Sequence, residues 1–325
     1  MKRVVTIGGG TGSYTVLSSI KNIEGLNISA IVAMTDDGGS TGVLRDELGV
    51  LPPGDIRQCL TALSEESGVF RKLMSYRFEE GALRGHSFGN IFLAGLEKVS
   101  GSFAEGVEIC GKILKIKGRV LPVTNNNVHL HARLNNGVVL EGENEINHFD
   151  ISKIGLEHLY FSKDTFISQS AREAIENADY ILIGPGNQYC SILPCLLPVG
   201  IKESFANSNA KIIYIANLTN KKGHSLNFNL SNYVTEIENY INKKIDVIFF
   251  NKESPTNEQI SYYELAEGDG VIIKNDMHDD IRVKEKNLLS HKLNMQNKTD
   301  KVASVRSYIR HDIKKLEEEI KEIVS

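Results

Sequence analysis

Three glycine-rich stretches hold the residue types in this chain that could bind and position an anion. Val4, Val5, Thr6 and Ile7 run into Gly8-Gly9-Gly10-Thr11-Gly12-Ser13. Residues 28–34 run into Thr35-Asp36-Asp37-Gly38-Gly39-Ser40-Thr41-Gly42, and residues 180–183 into Gly184-Pro185-Gly186-Asn187-Gln188-Tyr189. Strand, glycine turn and helix in that order aim backbone N–H groups and a helix N-terminus at one point, which suits a phosphate. The first loop is neither a dinucleotide G-x-G-x-x-G, because Ser13 stands in the third glycine place, nor a P-loop, because no Lys follows its glycines. The alternative is that its glycines merely allow a tight strand–helix turn.

Other side chains fall near these loops. Asp36 and Asp37 sit roughly where a Rossmann acidic residue meets a ribose hydroxyl. Paired carboxylates beside phosphate-binding backbone could also hold Mg²⁺, or one of them could cap the helix that follows. Arg57 lies in the first turn of a helix, where a cation opposes the dipole by roughly 0.3–1 kcal/mol, so an anion facing it would explain its presence. Arg45 makes a similar, weaker case. His86 could act as an acid or base near neutral pH, and Ser87 or Asn90 could cap the apolar helix behind it. No partner carboxylate for His86, no nucleophile–base pair and no Ser-His-Asp arrangement can be assigned from the sequence.

The elements that must position these groups follow an α/β rhythm. Apolar runs at 4–7, 28–34, 180–183, 211–216 and 246–250 read as strands, with Val271-Ile272-Ile273 as one more candidate. Helical spacing follows the first two loops and recurs at 56–63, where Asp55 and Gln58 have capping-box spacing. Further helices are expected at 70–78, 88–99, 104–116, 170–177 and 232–242, and from 191, with Pro194 tolerable only in a first turn. Residues 128–134 and 138–141 alternate with period two around Asn135-Asn136-Gly137, a hairpin signal. The hairpin is expected as an antiparallel edge or flap on the main sheet, with His129 and His131 on its solvent face rather than as metal ligands. The resulting expectation is an α/β, Rossmann-like three-layer αβα fold with a mostly parallel sheet. One domain should span 1–325, with a hairpin insertion near 120–150 and a C-terminal amphipathic helix near 299–325 carrying Leu316, Ile320 and Ile323 on one stripe.

Composition narrows the function. With 325 residues, 41% hydrophobic and 24% charged, the chain is of ordinary globular type. A formal net charge of -4 gives no electrostatic case for nucleic acid or an anionic membrane as partner. The apolar run after Lys2 and Arg3 is too short for a signal-peptide core or a membrane span. Cys59, Cys110, Cys190 and Cys195 form no C-x-x-C pair and are expected reduced and buried, in the cytoplasm. In a parallel α/β sheet the ligand sits beyond the carboxyl ends of the strands, so the three loops should meet on one rim.

The run Gly8-Gly9-Gly10-Thr11-Gly12, the stretch 35–42 with Leu44-Arg45, and Pro52-Pro53-Gly54-Asp55-Ile56-Arg57 together resemble one family. That family is the gluconeogenesis factor (YvcK-type) branch of the 2-phospho-L-lactate transferase-like (CofD-like) proteins. Gly85-His86-Ser87-Phe88-Gly89-Asn90, Val120-Leu121-Pro122, Gly184-Pro185-Gly186 and Arg310-His311-Asp312 extend the likeness nearly end to end. The resemblance implies a small-molecule nucleotide or nucleotide-sugar ligand of the UDP-N-acetylglucosamine type. It also implies a cytoplasmic regulatory role in cell shape during growth on gluconeogenic carbon. The nucleotide-binding set it suggests is Gly9, Gly10, Thr11, Gly12, Asp36, Ser40 and Thr41, with Arg57, Asn90, Gly186, Asn187 and Tyr189. Asp36 and Asp37 would hold Mg²⁺ if a metal accompanies the nucleotide. The alternatives are a metal-dependent transferase of a phospholactyl-type group and an NAD-binding protein; a homo-oligomer is expected. The sequence departs from the family at Asn187-Gln188-Tyr189-Cys190-Ser191 and through residues 217–224, stretches expected to meet the base or sugar.

Overall fold

β-Branched and aliphatic runs with no polar alternation demand burial on both faces, and the structure supplies it with helices on either side of a parallel sheet. A computed structural model describes residues 1–65, 68–267, 272–292 and 309–324. The chain opens with strand β1 (Lys2–Ile7), helix α1 (Gly10–Ile20) and strand β2 (Leu26–Val32). Helices α2 (Gly39–Leu48), α3 (Gly54–Leu63), α4 (Val69–Ser75), α5 (Phe88–Ser100) and α6 (Phe103–Ile113) follow, then strand β3 (Arg119–Pro122). Strands β4 (Leu130–Leu134) and β5 (Val139–Glu141), helix α7 (Glu143–His148) and strand β6 (Leu156–Phe161) form the middle. Helix α8 (Gln169–Glu176), strand β7 (Tyr180–Ile183), helix α9 (Ile201–Asn207), strand β8 (Lys211–Ile215), helix α10 (Leu230–Ile241) and strand β9 (Val247–Asn251) restore the alternation. Helix α11 (Asn257–Glu267), strand β10 (Val283–Lys286) and helix α12 (Ile313–Val324) complete the described chain.

Seven strands make one sheet in the order β10-β9-β8-β7-β1-β2-β3, and every pairing in it is parallel. The chain winds outward from β1 in both directions, so the β7/β1 boundary is the switch point at which ligands bind in such sheets. One face of the sheet buries Val5, Ile7, Ile31, Ile181 and Ile183 against α8, α9 and α10. The other buries Val4, Val32, Leu182 and Ile213 against α1, α3, α6 and α12.

The hairpin is not an edge of this sheet. Strands β5, β4 and β6 form a separate three-stranded antiparallel sheet. Its inward face, Leu130, Ala132, Leu134, Leu140 and Leu159, is buried in the main core, which fixes its register from one side. Residues 120–122 belong to the main sheet instead, as β3. His129 and His131 point outward, as the alternation predicts.

Helix ends differ in instructive ways. Asp55 is not an N-cap: Pro53 holds that place, and Gln58 Nε2 reaches the Asp55 carboxylate at 3.4 Å. The segment from Gln188 is a π-helical turn over Gln188–Ile192, then a 3-10 turn over Leu193–Cys195 with Pro194 at its start. The C-terminal stripe is Leu316, Ile320 and Val324, with Ile323 only half-buried, because α12 lies against Val16, Leu17 and Ile20. Residues 299–308 and Ser325 of the expected helix lie outside the described residues, as does Val271; its neighbour Ile272 makes an isolated bridge with Thr219. All four cysteines are buried and unpaired. Among the described residues no helix is long and apolar enough to cross a membrane.

Candidate functional site

The three glycine loops leave the carboxyl ends of β1, β2 and β7, which are neighbours in the sheet, and they line one cavity of about 280 Å³. Gly9, Gly10, Thr11, Gly12, Asp36, Ser40, Thr41, Arg57, Asn90, Gly186 and Asn187 are all on its wall. Two positions show why glycine is needed. Gly10 has φ +65°, a left-handed conformation that opens α1. At Gly12 a Cβ would run into the Pro185 carbonyl oxygen, so the first and third loops touch backbone to backbone. Asn217 clamps the third loop further: its Oδ1 accepts from Gly186 N–H at 2.9 Å and its Nδ2 donates to Gly186 O at 2.8 Å.

Arg57 is placed by the apolar stripe of α3, which buries Ile56, Leu60 and Leu63 and leaves the guanidinium at the cavity wall, 8% exposed. Its Nε donates to Asn90 Oδ1 at 2.8 Å. An arginine can only donate, so this contact fixes which end of the Asn90 amide is oxygen. Asn90 Nδ2 then faces Thr41 Oγ1 at 3.3 Å and Ser40 Oγ at 3.5 Å. The Thr41 hydroxyl in turn donates to Asp36. Neither Ser87 nor Asn90 caps α5 through its side chain: Ser87 is the N-cap residue, but its Oγ accepts no helix N–H and has no partner. Instead, Ser40 Oγ accepts the Ser87 N–H at 3.2 Å and lies 3.2 Å from His86 Nδ1.

The two aspartates part company. Asp36 lies on the cavity wall and accepts the Gly38 N–H at 3.0 Å. Asp37 is not among the lining residues. Its Oδ1 accepts from Asn144 N–H at 2.7 Å and its Oδ2 from Glu143 N–H at 3.1 Å, so it serves the free donors at the start of α7. Arg45 is also structural: it holds the Asn127 side chain at 2.6 Å and reaches the Val128 carbonyl, tying α2 to the loop before β4. Tyr189 is buried beneath the wall with its ring 5.4 Å from that of His224. Among the described residues, no group of three or more His, Cys, Asp or Glu is arranged to hold a metal ion.

Several cavity residues were not in the binding set expected from the sequence. Asp55, Glu143, Asn144, Asn147, Lys221, Tyr263 and Arg310 all line it. Asp36, Asp55 and Glu143 bring three carboxyls to one cavity. Burial is the largest cause that raises the Glu143 carboxyl well above its usual range, followed by repulsion from Asp36, Asp55 and Asp37, with Lys221 opposing. Asp36 is raised by burial first and by Asp37 after, against the hydrogen bonds from Gly38 and Thr41. Lys221 Nζ donates to Asn147 O at 2.9 Å and to that residue's side-chain oxygen, so the 217–221 segment is tied to α7. His311, also on the wall, is pushed down to about 4 by burial and stands neutral, with Nε2 unpartnered. The Arg310-His311 pair could have been suspected from the motif alone; Glu143 could not.

The model of the family described as 2-phospho-L-lactate transferase CofD matches residues 4–294. The chain belongs to the CofD family. Within that family a relative from Thermotoga maritima is 40% identical over 272 residues, 83% of this chain and 85% of its own length. The gluconeogenesis factors of Halalkalibacterium halodurans and Bacillus subtilis are 38% and 37% identical over 277 and 269 residues. Those matches cover 84% and 81% of this chain, and 84% and 83% of the relatives. A crystal structure from Bacillus halodurans, described as a member of the UPF0052 family, superposes with a TM-score of 0.87. It is 32% identical and covers 98% of each chain. Both the CofD family and its gluconeogenesis-factor branch are therefore shown, and the Rossmann-like fold with them.

Proposed function

We propose that this CofD-family chain is a cytoplasmic regulatory protein that binds a nucleotide sugar of the UDP-N-acetylglucosamine type, acting as a gluconeogenesis factor in the control of cell shape. The observation that carries the reading is the meeting of three strand-end loops and Arg57 around one cavity at the sheet's switch point. Backbone N–H groups there suit a diphosphate, and Arg57 adds a buried cation. Glu143, Asn144 and Asn147 of α7, with Lys221, line the same cavity and offer polar groups for a sugar.

A metal-assisted transferase is the second reading, and the carboxyls on the wall favour it. Mg²⁺ entering with a nucleotide would find Asp36 and take its other ligands from phosphate oxygens and water. A thermal-shift panel with UDP-N-acetylglucosamine, GDP and NAD, each with and without Mg²⁺, separates the readings. Stabilisation should reach about 2.7 kcal/mol at a hundredfold excess over Kd. A response to the UDP-sugar that ignores metal supports the regulator. Metal-dependent GDP binding supports the transferase, and a response to NAD alone rejects both.

A further inference from the structure

A binding role does not call on the contact between Ser40, on the cavity wall, and His86. Ser40, 6% exposed and lining the cavity, has its hydroxyl oxygen 3.2 Å from His86 Nδ1. The proton's place follows from the donors around it. Ser87 N–H can only donate, and Asn90 Nδ2 is a donor because Arg57 Nε holds the amide oxygen. Both lone pairs of Ser40 Oγ are therefore addressed by N–H groups, and its own hydrogen points to His86 Nδ1. That ring nitrogen accepts, so the neutral imidazole carries its hydrogen on Nε2. A hydroxyl donating to an imidazole nitrogen within hydrogen-bond reach is the geometry of an activated nucleophile. The Asn90 contact, at 3.5 Å the longest of the three, is the one released at least cost when a lone pair turns to an electrophile.

We propose that Ser40 is a nucleophile with His86 as its general base, poised to attack a phosphorus atom held in the cavity. In the nucleotide-sugar reading, on which the choice of natural substrate rests, Ser40 Oγ forms a bond to a diphosphate phosphorus. The bond from that phosphorus to the bridging oxygen breaks, and its electron pair leaves with the departing phosphate. The hydroxyl proton passes to His86 Nδ1 and from there to the leaving oxygen. Water then attacks the phosphoserine-type ester while His86 takes the water's proton. The Oγ–P bond breaks, and His86 returns a proton to Oγ. The sum is a phosphoanhydride and water giving two phosphates. This is a new activity for the site, since neither the loops nor the family likeness requires a covalent step.

The test separates the nucleophile from the ligand. Full-length protein is treated with diisopropyl fluorophosphate, which transfers phosphorus to an activated serine as fluoride leaves. Peptide mass mapping should place the adduct on Ser40. The rate should fall roughly a hundredfold in His86→Gln, the usual worth of a general base. Ser40→Ala should lose the adduct, but the wild-type map decides the matter even if that variant does not fold. An unlabelled Ser40, a label confined to other serines, or a wild-type rate in folded His86→Gln overturns the proposal. Thermal shift with UDP-N-acetylglucosamine is run alongside. Labelling without a shift rejects the nucleotide-sugar reading alone, and a shift without labelling rejects the nucleophile alone.

Discussion

Arg57 Nε donates to Asn90 Oδ1 at 2.8 Å, and through that one contact a cation on α3 orients an amide on α5 and, beyond it, the hydroxyls of Ser40 and Thr41 on α2. The guanidinium also donates to Met74 O at 3.3 Å. Arg57→Ala should cost about 1.5–3 kcal/mol in urea unfolding, the range for a hydrogen bond to a charged group. It should also weaken binding of UDP-N-acetylglucosamine by tenfold or more in calorimetry. Arg57→Lys keeps the charge without the planar fork, so it should recover part of the affinity and little of the stability. Normal binding by folded Arg57→Ala would remove Arg57 from the site.

The touching backbones of the first and third loops make a second prediction. Gly12→Ala places a methyl against the Pro185 carbonyl, and Gly10→Val forces a β-branched residue into a left-handed conformation. Both should abolish the ligand-induced thermal shift. An unchanged shift in either folded variant would show that the ligand does not use this loop.

Asp37 is expected to act on α7 rather than on a metal. Asp37→Ala should lower stability by about 0.5–2 kcal/mol, the cost of losing an N-terminal cap. That loss should be the same with and without Mg²⁺ in denaturant titrations. A stability loss seen only with Mg²⁺ would return Asp37 to the role of metal ligand.

Glu143 gives a pH signature. Its folded pKa is raised, so the folded state holds the proton to higher pH than the unfolded chain does. Stability from this group is full below the ordinary value of 4.5 and falls as pH rises through the folded value. For one proton the slope stays within about 1.4 kcal/mol per pH unit. Glu143→Gln should flatten that fall and be the more stable form at neutral pH, with the gap closing towards pH 4.5. A wild-type melting temperature that rises across this range by as much as the variant's would contradict the assignment.

The C-terminal helix should be integral to the fold. Leu316 is fully buried against α1, so Leu316→Ala should cost about 2–5 kcal/mol in urea unfolding.

Much of this molecule was legible in its residues alone. Apolar runs at Val4–Ile7, 28–34 and 180–183 have no alternation, so only a sheet covered on both faces can bury them. The glycines after them admit close backbone approach, and parallel strands then oblige the three loops to share a rim. Periodicity could not say where the hairpin docks. Leu130, Ala132 and Leu134 need an apolar partner, and whether that is the main sheet's edge or its flanking core is a matter of packing. Side-chain roles at the site were less legible still, because they depend on partners far along the chain. Asp36 and Asp37 are adjacent and chemically identical, yet one faces the cavity and the other holds α7 from 106 and 107 residues away. Ser40 and His86, 46 positions apart, carry no mutual signal until α2 and α5 pack and bring hydroxyl and imidazole together. The local chain decided which backbone could receive an anion; the burial of helices against the sheet decided which side chains would meet it.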